Sequence, residues 1–218
     1  MSLIHRERPP RGEPEGLLVL HHGRGANEND LLALADVLDP EQRLYVVSPR
    51  APLTPSGAGG FHWYLVPRVG YPDPKTFRAA FESLGELHAE LWQRTGIGPE
   101  RTILAGFSMG AVMSYALGLA AERPPVAGIL AFSGFMPTVT GWAPDLGSRD
   151  KLRVFVSHGE RDQVIGVELA RRAVSELRDG GLQVEYHESP AAHHIDPRSL
   201  PDARAWLEAT LEPHAGGA

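Results

Sequence analysis

The chain has 218 residues, 42% of them hydrophobic, enough for one domain with a substantial buried core. Its 21 Lys and Arg against 27 Asp and Glu leave a formal charge of −6 with no long run of one sign, which argues against nucleic acid as a partner. It contains no cysteine, which excludes disulfide staples and thiolate chemistry and suits a reducing cytoplasm.

The N-terminal stretch MSLIHRERPPRGEPEG is charged and proline-broken, without the apolar centre of a signal peptide, and residues 1–15 read as peripheral. Leu17–Leu20 reads as a strand that runs straight into His22-Gly23-Arg24-Gly25. A helix is expected over Asn29–Leu38, with Asn27 or Asn29 as its cap and Asp30 near its positive end. After a strand at Leu44–Ser48 comes a long proline- and glycine-rich connection, 49–75, holding Phe61-His62-Trp63-Tyr64. Thr76–Arg94 places Phe77, Phe81, Leu84, Leu87, His88 and Leu91 on one helical stripe, ended by Gly96 and Gly98-Pro99.

Thr102–Ala105 reads as a strand, Gly106-Phe107-Ser108-Met109-Gly110 as a sharp corner, and Met109–Ala121 as a helix of small residues. That helix, the longest apolar one, is well short of the roughly 20 residues needed to span a bilayer, so no membrane span is expected. Strands follow at Val126–Phe132, Leu152–Ser157 and Leu182–His187, and helices at Val167–Arg178 and Ser199–Leu211. A second long connection, 134–150, carries Phe135, Met136 and Trp142. Strand–helix alternation of this kind predicts one mostly parallel sheet of about six or seven strands with helices on both faces. Residues 212–218, EPHAGGA, read as a frayed tail.

The Gly-x-Ser-x-Gly pattern is weak alone, but a strand leading in and a helix leading out form the setting in which a serine is held as a nucleophile. Such a serine needs a base, and the base an orienting acid, both past the ends of later strands. KLRVFVSHG is followed by Glu160-Arg161-Asp162-Gln163, and LQVEYHES by Pro190-Ala191-Ala192-His193-His194. Serine, acid and histidine therefore occur in the required order. Glu160 competes with Asp162, and His194 with His193; the residue types alone do not separate them. Stabilising an oxyanion needs backbone donors, and the amides of Met109 and Arg24 are the candidates. Phe61, Trp63, Phe135, Met136 and Trp142 would wall an apolar acyl or aryl pocket if their loops converge; equally, exposed loop aromatics leave room for a homodimer contact.

Four stretches, His22-Gly23-Arg24-Gly25, Gly106-Phe107-Ser108-Met109-Gly110, His158-Gly159-Glu160-Arg161-Asp162-Gln163-Val164-Ile165 and His193-His194-Ile195, fall in the order and at spacing similar to the carboxylesterase/lysophospholipase/acyl-protein thioesterase family of small α/β-hydrolases. The resemblance runs from about Leu17 to Leu211. It implies a single α/β-hydrolase domain without a large cap, with Ser108 as nucleophile, Asp162 as acid and His193 as base. The family register separates Asp162 from Glu160 and His193 from His194. Two departures are visible: Met109 stands where acyl-protein members often carry Gln, and Ala192 where the family usually has Gly. The expected activity is hydrolysis of small-molecule carboxylic esters without cofactor or metal; thioesterase, lysophospholipase or amidase action by the same triad is the alternative. The paired histidines His21-His22 and His193-His194 lack metal-site spacing. A complete Ser-Asp-His set argues against a binding protein on a hydrolase scaffold.

Overall fold

The computed structural model describes residues 3–57 and 59–212. Seven strands form one sheet: β1 (His5–Arg8), β2 (Gly16–His21), β3 (Leu44–Pro49), β4 (Thr102–Phe107), β5 (Gly128–Phe132), β6 (Arg153–Gly159) and β7 (Gln183–Ser189). Their spatial order is β1-β3-β2-β4-β5-β6-β7. All neighbours are parallel except β1, which pairs antiparallel with β3. Five α-helices connect them: α1 (Leu32–Leu38), α2 (Pro74–Thr95), α3 (Met109–Leu119), α4 (Val167–Asp179) and α5 (Leu200–Leu211).

Strand residues alternate between two cores, as a period of two requires. Leu17, Val19, Leu104, Ile129, Val154 and Val156 face α2, α3 and α4. Leu18, Leu20, Ile103, Leu130 and Phe155 face α1 and α5. β2 and β5 are buried along their whole length, and β4 up to Gly106, which is why they read as continuous apolar runs. Every residue of α3 is buried too, so its apolar character encircles the helix.

Three local features differ from the expected elements. β1 is an additional edge strand whose HRER sequence carries no apolar pattern; backbone pairing and an Arg8–Asp39 ion pair hold it. α1 begins at Leu32, not Asn29, because the Asn27 side chain accepts the Asn29 N–H at 2.9 Å and turns the chain first. α2 begins two residues earlier than its apolar stripe: Pro74 opens it, and the Asp73 carboxylate accepts the Thr76 amide at 2.8 Å. Residues 213–218 of the expected frayed tail lie outside the described residues.

Five histidines are buried: His21 at the end of β2 and His22 just after it, His62 in the 49–75 connection, His88 on α2 and His158 in β6. Burial holds all five below the ordinary value of 6.5, His88 at about 3. Below the ordinary value the unfolded chain takes up protons that the folded chain refuses, so stability falls as pH drops from about 6.5 toward 3. Urea midpoints measured from about pH 7 down to about pH 5 are expected to decline steadily, before carboxylates protonate. A constant midpoint across that interval would contradict the burial of these rings as neutral groups.

Candidate active site

The site lies at the C-terminal edge of the sheet, where β4, β6 and β7 end. Ser108 occupies the corner between β4 and α3 with φ 55° and ψ −118°, a conformation costly for a residue with a side chain. The flanking glycines explain how the corner closes. A Cβ on Gly106 would stand 2.4 Å from the Gly110 carbonyl carbon, and one on Gly110 would stand 1.9 Å from the His21 oxygen. The Ser108 amide donates to Phe132 O at 2.8 Å, tying the corner to β5. Behind it, Ser114 donates to Gly110 O at 3.1 Å and accepts from His21 Nδ1 at 2.9 Å.

The Ser108 hydroxyl lies 2.9 Å from His193 Nε2, and His193 Nδ1 lies 2.6 Å from Asp162 Oδ2. Asp162 accepts only, so His193 carries its proton on Nδ1 and turns the Nε2 lone pair toward the Ser108 O–H. The other carboxylate oxygen, Oδ1, accepts the Val164 and Ile165 amides, each at 2.8 Å. Burial works against ionisation of Asp162, but the bonds from His193 and from the Ile165 and Val164 amides prevail and hold its carboxyl below the ordinary value.

The acid and histidine loops are sewn together. Glu160 N–H donates to Ser189 O at 2.7 Å, and Arg161 N–H to Ala191 O at 3.0 Å. Gly159 permits the crossing, since a Cβ there would stand 2.4 Å from Ala191 O. His158 donates from Nε2 to Ile165 O at 2.8 Å and so braces the turn that presents the two amides to Asp162. Phe107 packs on the His193 ring with centroids 5.0 Å apart. The side chains of Glu160 and His194, the competing acid and base, are exposed and take no part in the Ser108–His193–Asp162 chain.

Arg24, Met109, Ser108 and Phe135 line one cleft together with Tyr64, Val66, Val69, Tyr71, Val164 and Ile165; its volume is about 60 Å³. Met109 is the first residue of α3, so its N–H has no carbonyl one turn back to bond. Of the five aromatic and Met side chains expected to converge, Phe135 alone is in the cleft. Trp63 is instead fully buried beneath it, donating from Nε1 to His22 O at 2.9 Å while its own amide meets Met109 Sδ at 3.3 Å. Phe61 lies under the Arg50 guanidinium, 4.5 Å from its ring centroid. Trp142 donates to Ala116 O on α3 at 3.2 Å, and Met136 lines a separate depression beside α4. The reason is common to all four: each loop spends its large side chains pinning itself to the core. Tyr64, Val66, Val69 and Tyr71 take the cleft positions, and the apolar spacing around Gly70 was the available signal for them.

His21 and His22 bond in different directions. His22 donates from Nδ1 to Gly23 O at 2.7 Å and accepts the Ala51 amide on Nε2 at 3.0 Å, a structural role within its loop. Among the described residues no helix is long and apolar enough to cross a membrane.

Comparison with known proteins follows the same lines. The family model described as Phospholipase/Carboxylesterase matches residues 7–211. The chain belongs to this family. It is similar to lysophospholipase-like protein 1 of Mus musculus, with 24% identity over 99% of this chain and 97% of that protein. Acyl-protein thioesterase 1 of Debaryomyces hansenii is 30% identical over 76% of each chain. Among solved structures, esterase PE8 superposes with a TM-score of 0.81 at 30% identity, covering 96% of this chain and all of that one. The fold is accordingly an α/β-hydrolase fold without a large cap, and the chain is a member of an esterase-type hydrolase family.

The crowding at the corner yields a stability prediction. Gly110→Ala is expected to lose several kcal/mol, because the new methyl meets main chain that cannot yield. Gly147→Ala, with open space around it, serves as the control. Equal unfolding midpoints for the two variants would show that the α3 crossing is looser than described.

Proposed function

We propose that this chain is a serine carboxylesterase that cleaves esters of small acyl or aryl groups through an acyl-enzyme on Ser108. The observation that carries the reading is the continuous Ser108–His193–Asp162 chain, with 2.9 Å from Oγ to Nε2 and 2.6 Å from Nδ1 to Oδ2. His193 Nε2 takes the Ser108 proton as Oγ attacks the carbonyl carbon. The oxygen, now negative, faces the amides of Met109 and Arg24; one such donor is worth roughly 3–4 kcal/mol in other enzymes. His193 then protonates the departing alkoxide. Water repeats the sequence on the acyl-enzyme: it gives a proton to His193, attacks the acyl carbon and frees the acid, and Ser108 recovers its proton. Asp162 stays ionised throughout, holding the imidazole in one tautomer and balancing the imidazolium.

The size of the cleft supports small substrates. About 60 Å³ falls far below the roughly 300–1,000 Å³ of pockets that enclose drug-sized ligands. The same machinery acts on thioesters, as the names of the acyl-protein thioesterase relatives indicate for those proteins, but the cleft favours a short acyl chain over a lipid one.

The test is hydrolysis of 4-nitrophenyl esters from acetate to palmitate by wild type and Ser108→Ala. Turnover is expected to peak at the short end and to fall by roughly 10⁶-fold in the variant. A serine-independent rate, or no turnover by folded protein at any length, overturns the reading. Separately, His193→Ala is expected to abolish turnover while His194→Ala retains it; the reverse result would move the base to His194.

A further inference from the structure

Arg24 has a second feature besides its amide. It is the one charged residue lining the cleft beside Ser108. Its side chain is exposed and has no ion-pair partner among the described residues. Three nearby carboxylates are otherwise engaged, and the exposed Asp30, close enough to act on His22, forms no ion pair with Arg24 among the described residues. Glu28 holds Arg50 through both oxygens, Asp73 caps α2, and Asp162 is taken by His193 and two amides. The positive charge is consequently felt nearby: after burial, it is the largest influence holding His62 below the ordinary histidine value. A second guanidinium is close by: Arg68 stacks 3.7 Å over the ring of the cleft-lining Tyr71. An apolar cleft lined by one guanidinium, with a second stacked on its Tyr71 and no lining carboxylate, is an unusual place on a chain of formal charge −6.

We propose that the cleft selects esters carrying a carboxylate, with the Arg24 guanidinium as the specificity-determining group and Arg68 in support; this rests on the esterase reading above. Guanidinium and carboxylate match in planar geometry and form paired charge-assisted hydrogen bonds. Arg24 offers its amide to the carbonyl oxygen, so its side chain lies within one side-chain length of the reacting carbon. The carboxylate therefore belongs a few bonds from the ester, and the favoured substrates are short, soluble half-esters or acyl derivatives of hydroxy acids. The surrounding Val66, Val69 and Phe135 take up the apolar bonds between the two groups.

The test compares matched pairs. 4-Acetoxybenzoate and 4-acetoxybenzamide differ in charge on the leaving group; monomethyl glutarate and methyl butyrate differ on the acyl side. For at least one pair wild type is expected to favour the anion by roughly tenfold in kcat/KM, expressed mainly in KM. Arg24→Gln keeps the amide and is expected to erase that ratio, Arg24→Glu to invert it, and Arg68→Gln to reduce it. Added salt should shrink the ratio in wild type and leave it flat in Arg24→Gln. Equal kcat/KM within both pairs, or a ratio indifferent to both Arg24 substitutions, overturns the charge assignment while leaving the esterase intact. Failure of folded wild type to cleave any neutral or charged ester, 4-nitrophenyl acetate included, removes the esterase reading and this one with it.

Discussion

The close crossing of α3 over the ends of β2 and β4 is the contact on which the rest of the site depends. At Gly110 the helix approaches the His21 carbonyl so nearly that no Cβ fits, and Gly106 is pressed against the same turn. That approach forces Ser108 into its positive-φ corner, a strain of order 1–3 kcal/mol. The strain persists because α3 is anchored all round. Val112, Met113, Leu117 and Leu119 are buried, each side chain worth roughly 1.5–3 kcal/mol, and together they outweigh it. The corner also ends the helix N-terminus at the cleft, so the Met109 amide and the Ser108 hydroxyl arrive together.

The other half of the site is held by a different device. Asp162 and His193 come from separate loops that bond to each other through Glu160 and Arg161 before they meet at their side chains. Their relative position is thereby set by main chain. A buried carboxylate without partners would cost several kcal/mol. Asp162 has three donors, and His158 steadies the turn that supplies two of them. Because β4, β5, β6 and β7 are consecutive neighbours in the sheet, the strained corner and the sewn loops are spaced by backbone pairing.

How much of this was legible in the sequence follows from where each constraint lives. Six of the seven strands, all five helices and the corner at Ser108 were visible because they rest on local pattern: apolar runs, a helical stripe and glycines at a turn. Pattern also put an acid and a histidine past the right strand ends, but only the family register separated Asp162 from Glu160 and His193 from His194. β1 was not, since an edge strand of sequence HRER is held by backbone pairing and charge, which leave no periodic trace. The start of α1 was misplaced because Asn27 forms a turn with Asn29, and the same polar residues suit both turn and cap. The cleft walls were the least legible. Trp63 and Trp142 are as apolar as any wall residue, but each indole N–H found a buried carbonyl, and only the tertiary arrangement of His22 and Ala116 decides that.

Framework and cleft thus answer to separate constraints, and Arg24 stands where they meet. Its main chain has little freedom: Gly25 bonds to Phe61 O at 3.0 Å, Ala26 accepts from Phe61 N at 2.9 Å, and Gly60 lies so close to Gly25 that a Cβ would overlap its carbonyl. Both glycines have positive φ, which permits that contact. The amide of Arg24 is consequently fixed by its neighbours whatever side chain the position carries. The side chain is exposed and has no ion pair among the described residues, so its identity can change without disturbing the crossing beneath. A residue with a constrained amide and an unconstrained side chain can keep one chemistry while varying its selectivity, so the position after His22-Gly23 is where substrate charge would be chosen on this scaffold.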